Sequence, residues 1–299
     1  MTTTTPVLFT LFNRPDLTAR TFAAIRDARP ARLYIAADGP REGSESEICM
    51  GARAVTEAVD WPCQVKRLYQ EENLGCRRAM ETAIDWFFTH EVEGIILEDD
   101  CLVTAEFFAY CAELLEHYQH AEEVMAISGD RSFGRVLDAP QSYSFSRFPL
   151  IWGWATWRRA WRHYDFNRFA AGDFARHLRT TGLPKPFADA FAQKCAAVAN
   201  GTLDTWDYTW SYAVFMNQGL TCIPKVNLVT NIGHGPDATH TRNSASERAD
   251  IPVATLPRPL THPEIVSPDR RTDTLISLYV HGIVPWRQPG DTGQAALSV

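Results

Sequence analysis

Short apolar runs alternate with amphipathic stretches through the first half of the chain. Residues 7–12 (VLFTLF) have the composition of a buried strand. Pro15 and Asp16 then open a stretch whose Leu17, Phe22 and Ile25 share one helical face. Residues 32–38 (RLYIAAD) predict a second strand, closed by the turn pair Gly39 and Pro40. A helix follows over 46–59, with Ile48, Ala52 and Val55 on one face, and 63–69 (CQVKRLY) alternates like a third strand. Met80, Ile84, Phe87 and Phe88 fall at i, i+4, i+7 and i+8, which predicts a helix over 77–90. The run GIIL gives another strand. Thr104 is placed to cap a helix whose Phe107, Phe108, Cys111, Leu114, Leu115 and Tyr118 form one broad stripe. Residues 124–128 (VMAIS) predict a further buried strand. Strands alternating with helices predict an α/β fold, a mostly parallel sheet with helices on both faces.

The pattern changes after residue 130. From 143 to 164 the chain is aromatic and basic (YSFSRFPLIWGWATWRRAWRHY), with Trp152, Trp154, Trp157 and Trp161 partly at helical spacing. Helical patterns return over 187–199 and 208–216, followed by a β-rich run, TCIPKVNLVTNI. Prolines at 252, 257, 259, 263 and 268 predict an extended arm over 251–268, and the last fourteen or so residues read as a frayed tail. No internal repeat is evident.

Composition narrows the function classes. A net charge of -7 argues against a nucleic-acid partner, which demands a basic face. Seven cysteines without paired spacing make neither a disulfide framework nor a zinc signature and suit a reducing compartment. The start MTTTTPVLFTLF lacks a basic n-region, and no apolar run approaches the ~20 residues of a membrane span. The expectation is a cytoplasmic protein without a transmembrane segment, with peripheral membrane contact left open.

In an open parallel sheet, ligands bind beyond the carboxyl ends of the strands. Four such ends carry polar residues: Asn13 and Arg14; Asp38; Glu98, Asp99 and Asp100; and 128–131 (SGDR). Neither GxGxxG after the first strand nor GxxxxGK[ST] occurs. A nucleotide here would need another grip on its phosphates, and carboxylates holding Mg²⁺ or Mn²⁺ are the obvious substitute. Each feature also has a plainer reading. The three acids can occupy a solvated turn, Asp38 can be a turn residue, and Arg77 and Arg78 can be exposed charges at a helix start. Those two arginines oppose the helix dipole, which a nearby anion would relieve. The tryptophans can be core, although four in ten residues also suit stacking on sugars.

In that order, the segments PVLFTLFNRPD, IAADGP, ENLGCRRAM, ILEDDCL and GWATW resemble GT-A-fold glycosyltransferases, the nucleotide-diphosphosugar transferases. The likeness is nearest to small bacterial glycosyltransferase-like proteins with EDD and GWATW segments, and more distant to N-acetylglucosaminyltransferase I. It runs from Pro6 to about Arg242. The resemblance implies a GT-A (Rossmann-like) mixed sheet. Residues 1–130 would be the nucleotide-sugar-binding half, 131–245 the acceptor and catalytic-base half, and 246–299 an extended arm and tail. It implies donor contacts from Asn13, Arg14, Asp38, Asn73, Arg77, Arg78, Glu98 and Asp99, with Asp38 facing the base. Asp100 would be the metal ligand for Mn²⁺ or Mg²⁺, joined by His240 or, in its place, His234. Asp207 in TWDYTW would be the general base of an inverting reaction, with Asp204 the alternative. Trp152, Trp154 and Trp157 would form the acceptor wall. The implied reaction moves a sugar from a nucleotide diphosphate, UDP in the first instance, to a hydroxyl of a glycan or glycolipid. Two other classes stay open: a sugar-1-phosphate nucleotidyltransferase, and a non-catalytic nucleotide- or carbohydrate-binding protein on the same scaffold.

Overall fold

A computed structural model describes residues 3–133, 140–234 and 251–280. In the first half the elements are β1 (Val7–Leu11), α1 (Pro15–Ala28), β2 (Arg32–Ala37), α2 (Ser46–Val55), β3 (Gln64–Tyr69), α3 (Cys76–His90), β4 (Glu93–Glu98), β5 (Cys101–Val103), α4 (Ala105–His117) and β6 (Val124–Ser128). The second half adds β7 (Tyr143–Ser146), β8 (Trp154–Trp157), α5 (Arg158–Trp161), α6 (Ala171–Thr180), α7 (Lys185–Ala199), α8 (Asp207–Met216), β9 (Leu220–Pro224), β10 (Val229–Asn231) and α9 (Arg270–Leu275).

Eight strands form one sheet in the order β3-β2-β1-β4-β8-β6-β9-β7. Pairing is parallel among β3, β2, β1 and β4 and between β6 and β9, whereas β8 and β7 run antiparallel to their neighbours. The mixed, mostly parallel α/β fold read from the sequence is therefore the fold observed. The sheet is continuous across residue 130, because β6 lies between β8 and β9.

Alternation along β1 explains how both faces are covered. Val7, Phe9 and Leu11 pack with Phe22 and Ile25 of α1, while Leu8 joins Met80, Ile84 and Phe87 of α3 on the other face. Three differences from the sequence reading have local causes. Helix α2 ends at Val55, where the Thr56 hydroxyl turns back to donate to the Arg53 carbonyl at 2.7 Å. Thr104 stands at the start of α4 but makes no capping hydrogen bond with its side chain. The run after residue 220 divides into β9 and β10, and β10 pairs antiparallel with β5 directly after the three acids.

The second-half tryptophans belong to the interior. Trp154 and Trp157 stand three residues apart on a strand, so they face opposite sides of the sheet, and both are buried. Trp154 packs against Trp206, Trp210 and Trp161 at centroid distances of 5.6, 5.8 and 6.4 Å. The expected acceptor wall is thus corrected: neither Trp154 nor Trp157 has a free face for a sugar. Residues 251–268 are extended as expected, yet they are no loose arm. Leu256 and Leu260 are buried in the core, and backbone hydrogen bonds from Ser142 to Thr261 and from Asp269 to Phe145 fasten the segment along β7. Among the described residues no helix is long and apolar enough to cross a membrane.

Candidate functional site

A cleft of about 270 Å³ opens at the carboxyl ends of β1, β2 and β4 and the start of α3. Its polar lining comes from Arg14, Asp38, Arg41, Asn73, Glu98, Asp99 and Asp204, and its apolar wall includes Phe12, Leu68 and Met80. The chain brings these together because three parallel strands end side by side, each delivering its polar residue to one edge.

Asp38 organises the wall beside β2. Its carboxylate accepts from the backbone N–H of Gly39 at 2.8 Å and Leu74 at 2.9 Å, and from the Asn73 amide at 2.8 Å. Asn73 Oδ1 in turn accepts from the Gly75 N–H at 3.2 Å. Burial nonetheless raises the Asp38 pKa, against the lowering effect of those backbone donors. Gly75 then enters α3 with φ of 80°, a conformation that favours glycine. A Cβ there would stand 2.6 Å from Asp204 Oδ2. Asp204 Oδ1 accepts from the Arg77 backbone N–H at 3.3 Å, so a residue far along the chain closes the start of α3.

The three acids after β4 separate in role. Asp99 is 2% exposed and ion-paired with Arg14, whose Nε donates to Oδ2 at 3.3 Å. Asp100 Oδ2 meets the same guanidinium at 3.0 Å. Burial disfavours the Arg14 charge, but Asp99 and Asp100 more than offset this and raise its pKa. Glu98 and Asp99 both titrate above the ordinary carboxylate range. Burial is the main cause; Asp100 adds repulsion in each case, and Arg14 opposes the shift. The Cys76 thiol is likewise pushed up, by burial first and then by Glu98, Asp207, Asp204 and Asp38, which surround it.

Among the described residues no three of His, Cys, Asp and Glu converge into a metal cage. A smaller donor set is present. Asp100 retains 14% side-chain exposure, and its Oδ2 already faces a cationic group in the form of the Arg14 guanidinium. A Cβ at residue 233 would stand 2.1 Å from that oxygen, so glycine lets the chain pass against the carboxylate. Magnesium and manganese need only one or two protein carboxylates when waters and phosphates complete the shell, and Asp100, which stands next to the cleft lining rather than within it, would supply one.

The remaining expected residues are dispersed. Asn13 donates to Glu45 Oε1 at 3.1 Å and does not line the cleft. Arg77 pairs with Glu81 at 2.9 Å and lies 3.8 Å over the Phe166 ring, and neither it nor Arg78 lines the cleft. The donor contacts expected of these two arginines therefore fall outside the lining of this cleft. Asp204 lines the cleft; Asp207 does not, although its charge reaches Glu98 and Cys76. Asp207 Oδ1 accepts from the Thr205 hydroxyl at 2.6 Å. Half-buried Trp152 meets the His234 ring edge-on at 5.7 Å, and His234 follows the glycine beside Asp100. His240 lies outside the described residues. Phe12, Arg41 and Cys76 were missed. An arginine in the turn after Gly39 and Pro40 was the one available signal for Arg41.

No protein-family model matches the chain. A search of curated proteins also found no match. Among solved structures, HddC from Yersinia pseudotuberculosis is similar at 8% identity and a TM-score of 0.32, over 51% of this chain and 76% of that one. That likeness is too distant to carry a reading of function.

Proposed function

We propose that the protein is a metal-dependent glycosyltransferase that moves a sugar from a nucleotide diphosphate, UDP in the first instance, to a hydroxyl of a glycan or glycolipid. The observation that carries this reading is the cleft at the ends of β1, β2 and β4, where the buried Asp38 and Asp99, the half-buried Glu98 and the half-buried Arg14 converge beside an apolar wall. The order of the resembling segments along the chain supports the same reading. The turn after β1 offers Arg14 tied to two acids, rather than the Gly-rich basic loop of a nucleotidyltransferase.

In this mechanism Phe12, Leu68 and Met80 receive the planar base, while the Asp38 hydrogen bonds hold the 73–75 turn that forms the cleft wall. A hard cation on Asp100 would supply Lewis-acid neutralisation of the leaving diphosphate. Arg14 keeps Asp99 ionised in the cleft, so a donor hydroxyl finds a charged acceptor there. Asp207 removes the acceptor proton as the hydroxyl attacks the anomeric carbon from the face opposite the leaving group, which inverts that centre. Asp204 is committed to the α3 N-terminus and serves structure first.

The deciding experiment is a thermal-shift panel of nucleoside diphosphates with and without Mn²⁺, followed by turnover of the preferred sugar donor. A shift that needs the metal is expected, with Asp100→Ala abolishing it. Asp207→Asn should keep that shift and lower turnover by about 10²–10⁴-fold. A panel with no shift sinks the donor assignment. Full turnover in Asp207→Asn would remove Asp207 as the base.

A further inference from the structure

We propose that Arg41 is a donor-binding residue that exchanges partners, leaving Glu45 for the diphosphate when a nucleotide enters; this rests on the nucleotide-sugar reading above and deepens it. The charge of the cleft poses the problem. Asp38, Glu98, Asp99 and Asp204 line it, against two guanidiniums, Arg14 and Arg41. Arg14, only 20% exposed, is already held between Asp99 and Asp100. Among the described lining residues, a diphosphate entering these four carboxylates therefore has one exposed cation to meet, and that cation is Arg41.

Arg41 is built for exchange. Its side chain is 62% exposed at the rim, and its guanidinium lies 5.3 Å over the Phe12 ring. Nε donates to the two Glu45 oxygens at 2.9 and 3.0 Å. Glu45 is the fixed member of the pair. It also accepts from the Arg41 backbone N–H at 2.8 Å and from the Asn13 amide at 3.1 Å, so it stays anchored when the arginine tip leaves. An exposed ion pair holds weakly, whereas a guanidinium engages phosphate oxygens through two parallel hydrogen bonds. The expected Asn13 contribution thus becomes indirect: it tethers the acid that holds Arg41 in reserve.

Calorimetric titration of the full chain with UDP plus Mn²⁺, and separately with uridine, tests the exchange. Arg41→Ala should weaken UDP about tenfold or more and leave uridine within about twofold. Glu45→Gln keeps the shape of the anchor, removes its charge, and should bind UDP a few-fold more tightly than the unaltered chain. Equal UDP affinity in Arg41→Ala would overturn the proposal. So would an equal loss for uridine, or a Glu45→Gln variant that folds normally and binds UDP more weakly. Failure of the unaltered chain to bind any nucleoside diphosphate would instead overturn the nucleotide reading, and this inference with it.

Discussion

At the scale of single residues, Glu98 shows how the site trades stability for charge. Its half-buried carboxyl stands beside Asp99 and Asp100, and desolvation, then those neighbours, raise its pKa above the ordinary range. A folded-state pKa above the unfolded one means the folded chain holds that proton more tightly. The stabilising contribution is complete below about pH 4 and is lost as pH rises through the folded value. Glu98→Gln keeps the shape and removes the charge, so it should raise Tm by roughly 3 °C at pH 8. The gain should shrink at pH 5, where Glu98 is already protonated. Melting curves of both chains at the two pH values check this, and a gain larger at pH 5 would refute it. Arg14, Asp38, Glu98 and Asp99 were legible because each stands at the end of an apolar run. Arg41 and Phe12 were not, because a turn side chain declares its direction only once the neighbouring strand is placed. Trp154 and Trp157 misled for the opposite reason: spacing of three suits a helix face and equally the two faces of a strand.

At the scale of elements, the start of α3 joins the two halves of the chain. Gly75 permits a positive φ, and Asp204 fits against it while accepting from the Arg77 N–H. Gly75→Ala meets both obstacles, an unfavourable backbone region and a carboxylate oxygen 2.6 Å from the new methyl. A loss of about 2 kcal/mol in urea unfolding is expected. Asp204→Ala should lose about 1 kcal/mol, the usual value of a helix-terminal acceptor. If Gly75→Ala loses less than Asp204→Ala, the Asp204 side chain must move aside freely and the closure is not rigid. Helices with full periodic stripes, α3 and α4 above all, could be read from spacing alone because one face meets the sheet and the other meets water. β8 could not. It is inserted antiparallel between two strands of the first half, a long-range pairing that leaves no local polar alternation to detect. β5 was hidden by its three-residue length and by the acids immediately before it.

At the scale of the whole molecule, the chain returns after residue 251 to seal the sheet edge opposite the cleft side. Asp273 of α9 is 1% exposed and anchors that return. It accepts from Ser146 Oγ at 2.7 Å, from the Arg147 backbone N–H at 3.0 Å and from Arg147 Nε at 2.6 Å. Sequence reading recognised an extended arm there but not its lock, since an isolated Asp in RRTDTL is indistinguishable from a solvated one. Asp273→Ala strips three donors of their acceptor and leaves the Arg147 charge largely buried. The expected loss is about 3 kcal/mol, or roughly 5 °C in Tm for a chain of this size. None of these groups lines the cleft, and β7 lies at the far edge of the sheet from β3. The thermal shift that a nucleoside diphosphate produces should therefore keep its size in Asp273→Ala, superimposed on the lower baseline. A shift that disappeared together with the stability would mean that the arm and the cleft unfold as one cooperative unit, and that the distance between them across the sheet does not insulate the site.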